Sequence, residues 1–201
     1  MIAILSGLGT TCIGQFHLPS LDVQVKSGAA ALIDMQDYYS NHYTYTAPIF
    51  SGEVNWNISQ YFAAGVFISK GGSSKTKFTG EFGSGNTSYT STHYAYGVKL
   101  RISSGRQPKF RPFAEISYGK FEMYMQKDSY RVSNDTKAFG FSGGLMVSLT
   151  GKLYLVLPQI TLRFRSEPFF FESSGDYLFG IAHVPFLEVT GGLSYNMGKK
   201  K

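Results

Sequence analysis

The sequence is poor in the features that mark most other classes of protein. It contains one cysteine in 201 residues, so its stability cannot come from disulfides within the chain. Charged residues make up 16% of the chain, against about 25% in ordinary soluble domains. No apolar run reaches the roughly 18 residues of a transmembrane helix. These shortages are compatible with a β-sheet protein in lipid, because membrane strands are individually weak hydropathy features.

Motifs that would carry chemistry are also missing. The sequence has no nucleotide-binding loop, no cluster of metal ligands and no nucleophile motif, so it predicts no catalytic residue, no metal and no cofactor. The net charge is +6, but the basic residues are scattered and many share strand faces with acidic residues. A nucleic-acid partner is therefore not expected.

Aromatic residues, at 16%, and the 23 glycines are abundant instead. Their order is most informative in the segment 93–118, where apolar and polar residues alternate on both sides of a turn-forming stretch at 103–108. One face carries Tyr94, Tyr96, Val98, Leu100 and Ile102, then Phe110, Pro112, Ala114, Ile116 and Tyr118. The other face carries small or charged residues. Two strands of about nine residues with such faces predict a hairpin of a membrane-spanning β-barrel.

The same alternation predicts eight strands, at about 21–35, 45–57, 61–70, 93–102, 110–118, 137–149, 153–165 and 181–197. Short turns join the second strand to the third, the fourth to the fifth and the sixth to the seventh. Longer segments make the other connections, and the longest is 71–91. The predicted fold is thus an all-β, eight-stranded antiparallel up-and-down transmembrane barrel with short periplasmic turns and long outer loops.

Two stretches of these strands resemble the small outer-membrane barrels. They are Phe110-Arg-Pro-Phe-Ala-Glu115 and Val189-Thr-Gly-Gly-Leu-Ser-Tyr195. With the strand arrangement, they are similar to the eight-stranded barrels of the OmpA and OmpX type, and more so to the outer-membrane β-barrel domain proteins of Bacteroidetes. The resemblance covers nearly the whole chain after Gln15. It implies a monomer in a Gram-negative outer membrane and an architecture rather than a particular activity.

The first residues differ from the rest of the chain. Residues 2–8 are apolar and small residues precede Gln15, a pattern typical of the core and cleavage site of a secretory signal peptide, here without a positively charged beginning. We expect residues 1–14 to be this signal peptide and residues 15–201 to form a single β-barrel domain. The alternative is a short buried strand.

The polar face of the strands predicts a lumen in which charges pair. It holds Asp22, Asp34, Glu53, Glu115 and Glu188 with Lys26, Lys99, Arg101, Arg111 and Arg163. A soluble surface would carry more charge than these five acids and five bases, and the other residues of this face are small, as a narrow barrel requires. The alternative is a soluble lipocalin-like barrel, with the apolar face inside and a bound lipophile.

Nine aromatic residues fall near strand ends and predict two interfacial girdles. The expected periplasmic girdle contains Trp56, Tyr61, Phe110, Tyr154 and Tyr195, and the outer girdle contains Tyr94, Tyr118, Phe139 and Phe164.

The predicted function is structural or interactive, through the outer loops. Lys75 and Lys77 lie in the longest loop, and Phe169, Phe170 and Phe171 form an apolar cluster between the last two strands. These residues are candidate contacts for outer-membrane lipid and lipopolysaccharide, or for an extracellular ligand or protein. The main alternative is an outer-membrane lipid-modifying enzyme, whose activity would depend on His93 or His183.

Overall fold

The structure of the protein is a computed structural model that describes residues 20–36, 42–80, 83–104, 109–127, 130–166, 169–171, 179–181 and 185–198. The segment 1–14, for which a signal peptide is predicted, lies outside the described residues. No helix among the described residues is long and apolar enough to span a membrane.

Eleven strands form the described part of the chain. They are β1 (Ser20–Gln36), β2 (His42–Asn57), β3 (Phe62–Gly71), β4 (Ser74–Gly80), β5 (Gly83–Ser103), β6 (Phe110–Lys127), β7 (Tyr130–Ser148), β8 (Leu153–Arg165), β9 (Phe169–Phe171), β10 (Phe179–Ile181) and β11 (Phe186–Asn196). Because β3 and β4 pair with the same two neighbours, β2 and β5, they form one interrupted strand of the wall. The wall therefore has eight strands, as the alternation predicts, and β9 and β10 form a separate pair.

The sheet closes on itself because β1 pairs antiparallel with both β2 and β11. The other neighbours round the wall are also antiparallel. Closure satisfies the backbone hydrogen bonds of the wall without an exposed sheet edge, as spanning a membrane requires. At one end the strands are joined by short turns, such as the one closed by the Leu149 amide donating to the Leu153 carbonyl at 2.9 Å.

The apolar face of the wall points outwards and the charged face points into the barrel. Outward side chains that are more than half exposed include Val25, Phe50, Val66, Ile68, Val98, Leu100, Ile116 and Phe141. The lipocalin-like alternative is therefore wrong, since such a barrel would bury these residues in its interior. Their exposure instead gives the barrel an apolar belt suited to lipid.

The segment 71–91, predicted to be the longest loop, is mostly strand. β4 and the first part of β5 pair from Ser74 opposite Ser91 to Gly80 opposite Gly83. A second extended hairpin replaces the predicted connection between 118 and 137, because β6 and β7 stay paired as far as Lys127 and Tyr130. The loop prediction relied on a Ser- and Thr-rich composition, but threonine favours strands and the wall provides a template for continued pairing. Lys75 and Lys77 therefore lie in β4, and their side chains lie outside what the structure describes.

A bulge in β8 shifts the inward face along that strand. Tyr154 and Val156 point inwards on one side of Pro158, and Gln159 and Thr161 point inwards on the other. The pairing of β8 with β7 and with β11 slips at this point. Proline cannot donate a backbone hydrogen bond to a sheet, so it is confined to edges and bulges.

Two inward glycines let β5 and β6 approach closely. A Cβ at Gly119 would lie 2.1 Å from the Tyr96 carbonyl oxygen, and one at Gly97 would lie 2.2 Å from the Tyr118 carbonyl oxygen. Real Cβ atoms do not come so near, so both positions require glycine for the wall to bend as it does.

Candidate functional site

An ion-paired group of buried side chains, here called the lumen cluster, crosses the middle of the barrel. It consists of Lys26 on β1, Glu53 on β2, Lys99 and Arg101 on β5, Glu115 on β6 and Gln159 on β8. Glu53 accepts hydrogen bonds from Lys26 and Lys99 through different carboxylate oxygens. Arg101 Nη2 lies 3.4 Å from Oε2 of the same carboxylate. Glu53 on β2 thus joins Lys26 of β1 to Lys99 and Arg101 of β5.

Glu115 is the second anion of the lumen cluster. Its Oε1 lies 2.9 Å from Lys99 Nζ and 2.5 Å from the Arg101 guanidinium, and its Oε2 accepts a hydrogen bond of 2.9 Å from Gln159 Nε2. Strand register brings Arg101 directly opposite Glu115. Three cations therefore share two carboxylates, which offsets part of the several kcal/mol that burying each ion costs.

A separate ion pair lies between Arg163 on β8 and Glu188 on β11. Arg163 donates from Nε to Glu188 Oε1 at 2.7 Å and from Nη2 to Oε2 at 3.0 Å. The Arg163 guanidinium also lies 4.6 Å from the centre of the Phe67 ring. This bidentate geometry is the strongest form of a carboxylate contact, and it ties β8 to its neighbour inside the lumen.

An aromatic layer fills the lumen on the side of the extended hairpins. It contains Tyr45, His93, Phe121 and Phe186, each at most 1% exposed. The His93 ring stacks on Phe121 at 5.6 Å between centroids and meets the edge of Phe186 at 4.5 Å. The Tyr45 hydroxyl lies 2.8 Å from His93 Nδ1. This layer lies above the ion pairs, on the side of the extended hairpins.

Aromatic and apolar side chains also fill the lumen near the short turns. Phe113, Met146, Tyr154 and Val156 pack together there, and the Arg101 guanidinium lies 4.8 Å from the Phe113 ring centre. The prediction that Tyr154 belongs to the lipid-facing girdle is wrong. The bulge at Pro158 turns Tyr154 inwards, where it is 8% exposed.

The remaining predicted lumen residues occupy different levels of the bore. Asp22 accepts a hydrogen bond of 2.5 Å from Asn196 Nδ2 near the short turns. Arg111 donates to Ser103 Oγ at 2.7 and 3.0 Å. Asp34 belongs to β1, but its side chain lies outside what the structure describes. Of the ten predicted residues, five meet in the lumen cluster and two in the Arg163–Glu188 pair.

Little space remains among these side chains. A cavity of about 10 Å³ lies between the lumen cluster and the Arg163–Glu188 pair. That volume is near the minimum for a single water molecule. Eight strands enclose an interior just wide enough for side chains, and here those side chains occupy it.

The histidines do not form a catalytic arrangement in the described part of the chain. His93 is fully buried in the aromatic layer, and its Nε2 has no hydrogen-bond partner among the described residues. His183 lies outside the described residues. No group of three or more His, Cys, Asp or Glu side chains in the described ranges is arranged to hold a metal ion.

The predicted girdle residues other than Tyr154 lie on the outer surface or at its ends. Near the short turns, Trp56, Phe110 and Tyr195 are outward and exposed, whereas Tyr61 lies in the turn before β3. Towards the extended hairpins, the outward residues are Tyr94, Tyr118, Phe139 and Phe164, and the rings of Tyr118 and Phe139 are 4.8 Å apart. Phe169, Phe170 and Phe171 form β9, which pairs with β10; their side chains lie outside what the structure describes.

Charged side chains replace apolar ones just beyond Tyr118 and Phe139, where the membrane-spanning belt ends. Lys120 Nζ lies 2.7 Å from Asp135 Oδ2 and 3.1 Å from Glu122 Oε1. Hydrogen bonds from Tyr124 and Lys120 hold the pKa of Glu122 below its usual value. Lys120 likewise lowers the pKa of Asp135, and Asp135 with Glu122 raises the pKa of Lys120.

Several inward residues were not predicted as part of the site. They are Gln24, Tyr45, Phe121, Gln159, Arg165 and Phe186. Arg165 follows Arg163 by two positions and shares its face, so the alternation could have identified it. Gln24 lies between Asp22 and Lys26 in the same way, and it accepts a hydrogen bond of 3.0 Å from Arg101.

Comparisons with known proteins support the fold. No protein-family model matches the chain, and no curated protein matches it by sequence. Among solved structures it is similar to Neisserial surface protein A, at 10% identity over 87% of this chain and 96% of that one, with a TM-score of 0.61. It is also similar to the outer membrane protein OprG from Pseudomonas aeruginosa, at 8% identity over 91% and 99% of the two chains, with a TM-score of 0.59.

A third similar structure is the outer membrane protein AlkL in lipid bilayers, at 14% identity over 94% of each chain, with a TM-score of 0.57. At such identities the likeness concerns the fold. The chain has the closed eight-stranded barrel of small outer-membrane proteins, and its apolar belt on that fold places it in the bacterial outer membrane.

Proposed function

We propose that this protein is a closed, non-enzymatic outer-membrane scaffold that presents its outer hairpins to an extracellular ligand or protein. The observation that carries the proposal is the lumen cluster, in which Lys26, Glu53, Lys99, Arg101 and Glu115 are joined across the bore. In this proposal the charge pairs hold the wall rigid rather than conduct ions.

The energy of the buried ions supports a closed state. Removing one partner from a buried ion pair costs about 3–5 kcal/mol, so a solute that displaced Lys99 from its two carboxylates would meet a large barrier. The aromatic layer around His93 supports the same reading, because its packed rings lie in the bore above the ions. A conducting barrel would need a wider, water-lined bore.

The hairpins are the regions best placed for contact. β5 has 21 residues, β6 has 18 and β7 has 19, whereas about 9–11 residues of a tilted strand cross a bilayer. About half of each strand therefore extends beyond the belt. Lys75 and Lys77 on β4 would favour anionic partners such as lipopolysaccharide phosphates, and β9 would add three phenylalanines between β8 and β11.

The finer assignments belong to the same proposal. We propose a signal peptide at residues 1–14, a monomeric barrel, and relationship to the OmpA and OmpX type or to the Bacteroidetes barrel domains. The two quoted stretches, at 110–115 and 189–195, support that relationship. Phe110-Arg-Pro-Phe-Ala-Glu115 begins β6 and provides three residues that point into the lumen, Arg111, Phe113 and Glu115.

Conductance across a planar bilayer tests the closed lumen. The wild-type protein should give no stepwise current, and a triple variant, Glu53→Ala, Lys99→Ala and Glu115→Ala, should conduct because it empties the centre of the bore. Stable single-channel steps from the wild type would refute the scaffold proposal.

A register-preserving hairpin deletion tests the contact role. Replacing residues 77–88 by Asn-Gly joins Thr76 to Tyr89, which already face each other, through a turn that hairpins favour. The deletion should abolish adhesion of protein-bearing vesicles to host-matrix or bacterial surfaces, and the charge-only control Lys75→Gln with Lys77→Gln should weaken it in a salt-dependent way. Adhesion equal to wild type after the deletion would refute the role. A change in lipid A acylation that requires His93 would favour the enzyme alternative.

A further inference from the structure

Among the outward-facing side chains that the structure describes, the charged ones are gathered on one arc of the outer rim of the barrel. Where side chains are described, the outward faces of β1, β2, β8 and β11 carry no charged residue. The outward charges lie instead on β3, β6 and β7: Lys70, Lys120, Glu122, Asp135 and Lys137. We call this set, together with Tyr94 and Tyr96 on the intervening β5, the rim arc.

The strand register stacks the rim arc on the apolar belt in ordered rows. The last apolar row runs Val66, Val98, Tyr118, Phe139 across β3, β5, β6 and β7. The next outward row is Ile68, Tyr96, Lys120, Lys137, and the row beyond it is Lys70, Tyr94, Glu122, Asp135. A molecule lying along this surface would meet hydrocarbon-compatible residues first, and then two rows in which tyrosines and charged residues lie side by side. That order matches a lipid lying against the wall with its headgroup uppermost.

The carboxylates of the rim arc are already engaged inside it. Glu122 accepts hydrogen bonds from Tyr96 at 2.9 Å and Tyr124 at 2.8 Å, as well as the contact with Lys120. Asp135 contacts Lys120 at 2.7 Å. These anions therefore hold Lys120 and the tyrosines in place, and they leave the two outer lysines to act on a partner.

Lys70 and Lys137 flank the rim arc on either side. Both are exposed, and within the described ranges neither has a carboxylate at ion-pair distance. Lys70 lies 5.3 Å from the Tyr94 ring centre. Lys137 sits directly opposite Lys120, and like charges in that position repel. An anion at the rim would relieve this repulsion.

The separation of the two lysines indicates what kind of anion fits. Lys70 is on β3 and Lys137 is on β7, three strand spacings away, so their strands are about 14 Å apart. A headgroup with two phosphates at opposite ends matches that separation, while its acyl chains lie on the apolar rows below.

We propose that the rim arc is a two-point binding site for an outer-leaflet lipid whose headgroup carries two phosphates. Lys70 and Lys137 each contact one phosphate, the tyrosines contact the sugar or glycerol part, and Val66, Val98, Tyr118 and Phe139 contact the chains. The inference rests on the proposed outward orientation of the hairpins but not on their binding a partner. The residues of this proposed lipid site lie outside β4 and β9, which carry the proposed contact role.

The test measures lipid retained by the detergent-solubilised protein with native mass spectrometry. The probes are diphosphoryl lipid A, monophosphoryl lipid A and phosphatidylcholine. Wild type should retain diphosphoryl lipid A in preference to the other two. The variant Lys70→Gln with Lys137→Gln should bind it about thirtyfold more weakly, since each surface lysine contributes about 1 kcal/mol towards an anionic lipid.

A matched control removes two lysines from the opposite rim. Lys109→Gln with Lys152→Gln makes the same change in net charge beside the short turns and should leave retention unchanged. Equal losses in the two double variants would overturn the proposal, because binding would then depend on net charge alone. Equal retention of monophosphoryl and diphosphoryl lipid A by the wild type would overturn the two-point site. The variant that lacks residues 77–88 should retain lipid A as the wild type does. Failure of the proposed contact role can therefore be distinguished from failure of the lipid site.

Discussion

Removing the charge of Glu115 should destabilise the barrel more than the same change to a carboxylate of the rim arc. Glu115 is 5% exposed and contacts Lys99, Arg101 and Gln159 at 2.5–2.9 Å. The variant Glu115→Gln preserves the shape but leaves three cations around one carboxylate, Glu53. Breaking a buried ion pair from one side costs about 3–5 kcal/mol, a large part of the roughly 5–15 kcal/mol that stabilises a folded domain.

The assay is urea unfolding in lipid vesicles, followed by fluorescence of Trp56. This is the only tryptophan in the sequence, and its side chain is 56% exposed on the lipid-facing surface, so unfolding moves it from lipid to water. Glu122→Gln provides the matched control, because Glu122 is at the solvated rim, where an ion pair contributes about 0–1 kcal/mol.

A double-mutant cycle separates charge balance from lost packing. Arg101→Met keeps the length of the side chain and removes one cation, so Arg101→Met with Glu115→Gln leaves two cations and one carboxylate, the same excess of one as in the wild type. The double variant should lose about 0.5–3 kcal/mol less than the sum of the single losses. Strict additivity, or an effect of Glu115→Gln no larger than that of Glu122→Gln, would refute the account of the lumen cluster.

Three further predictions concern the wall and its rim. Leu100→Lys places a charge in the apolar belt and should cost about 2–4 kcal/mol in vesicle unfolding, whereas Thr92→Lys, beyond the belt, should fold like wild type. Gly119→Ala should slow folding and destabilise the barrel by about 1–3 kcal/mol, because its Cβ would meet a carbonyl oxygen at 2.1 Å. Gly143→Ala should be neutral in the same assay, since nothing lies within 4 Å of its Cβ; similar losses for the two glycines would contradict the close-approach argument. The pKa of Glu122 is lowered in the folded protein, so its stabilisation is complete above about pH 4.3 and is lost as the pH falls through the folded pKa. The difference in unfolding midpoint between wild type and Glu122→Gln should therefore shrink below about pH 4. A difference that grew as the pH fell would contradict this prediction.

The sequence by itself determined the strand count and the face that meets lipid. A side chain in a strand points to one of two sides, so the alternation of residues such as Val98, Lys99 and Leu100 is visible without coordinates. The low charge content and the small residues of the polar face then indicated which side encloses the lumen.

The sequence prediction was wrong where the alternation of inward and outward residues along a strand is interrupted, or where it was not recognised. Tyr154 follows the alternation of its own strand until Pro158 shifts the phase, and the slip is visible only against the register of β7 and β11. The Ser- and Thr-rich segment 71–91 was predicted as loop because composition does not report whether a neighbouring strand is present to pair with it. Pairing with β5 is what makes β4 a strand.

Contacts between distant parts of the chain were decided only by the tertiary structure. The sequence identified Lys26, Glu53, Lys99, Arg101 and Glu115 as inward charges, but the register of β1 against β2 brings Lys26 to Glu53, and the stagger of the strands brings Lys99 between two carboxylates. The aromatic layer and the rim arc depend on register in the same way. Alternation fixes on which side of the wall a residue lies, and only the paired neighbours fix its height along the wall and what it can reach.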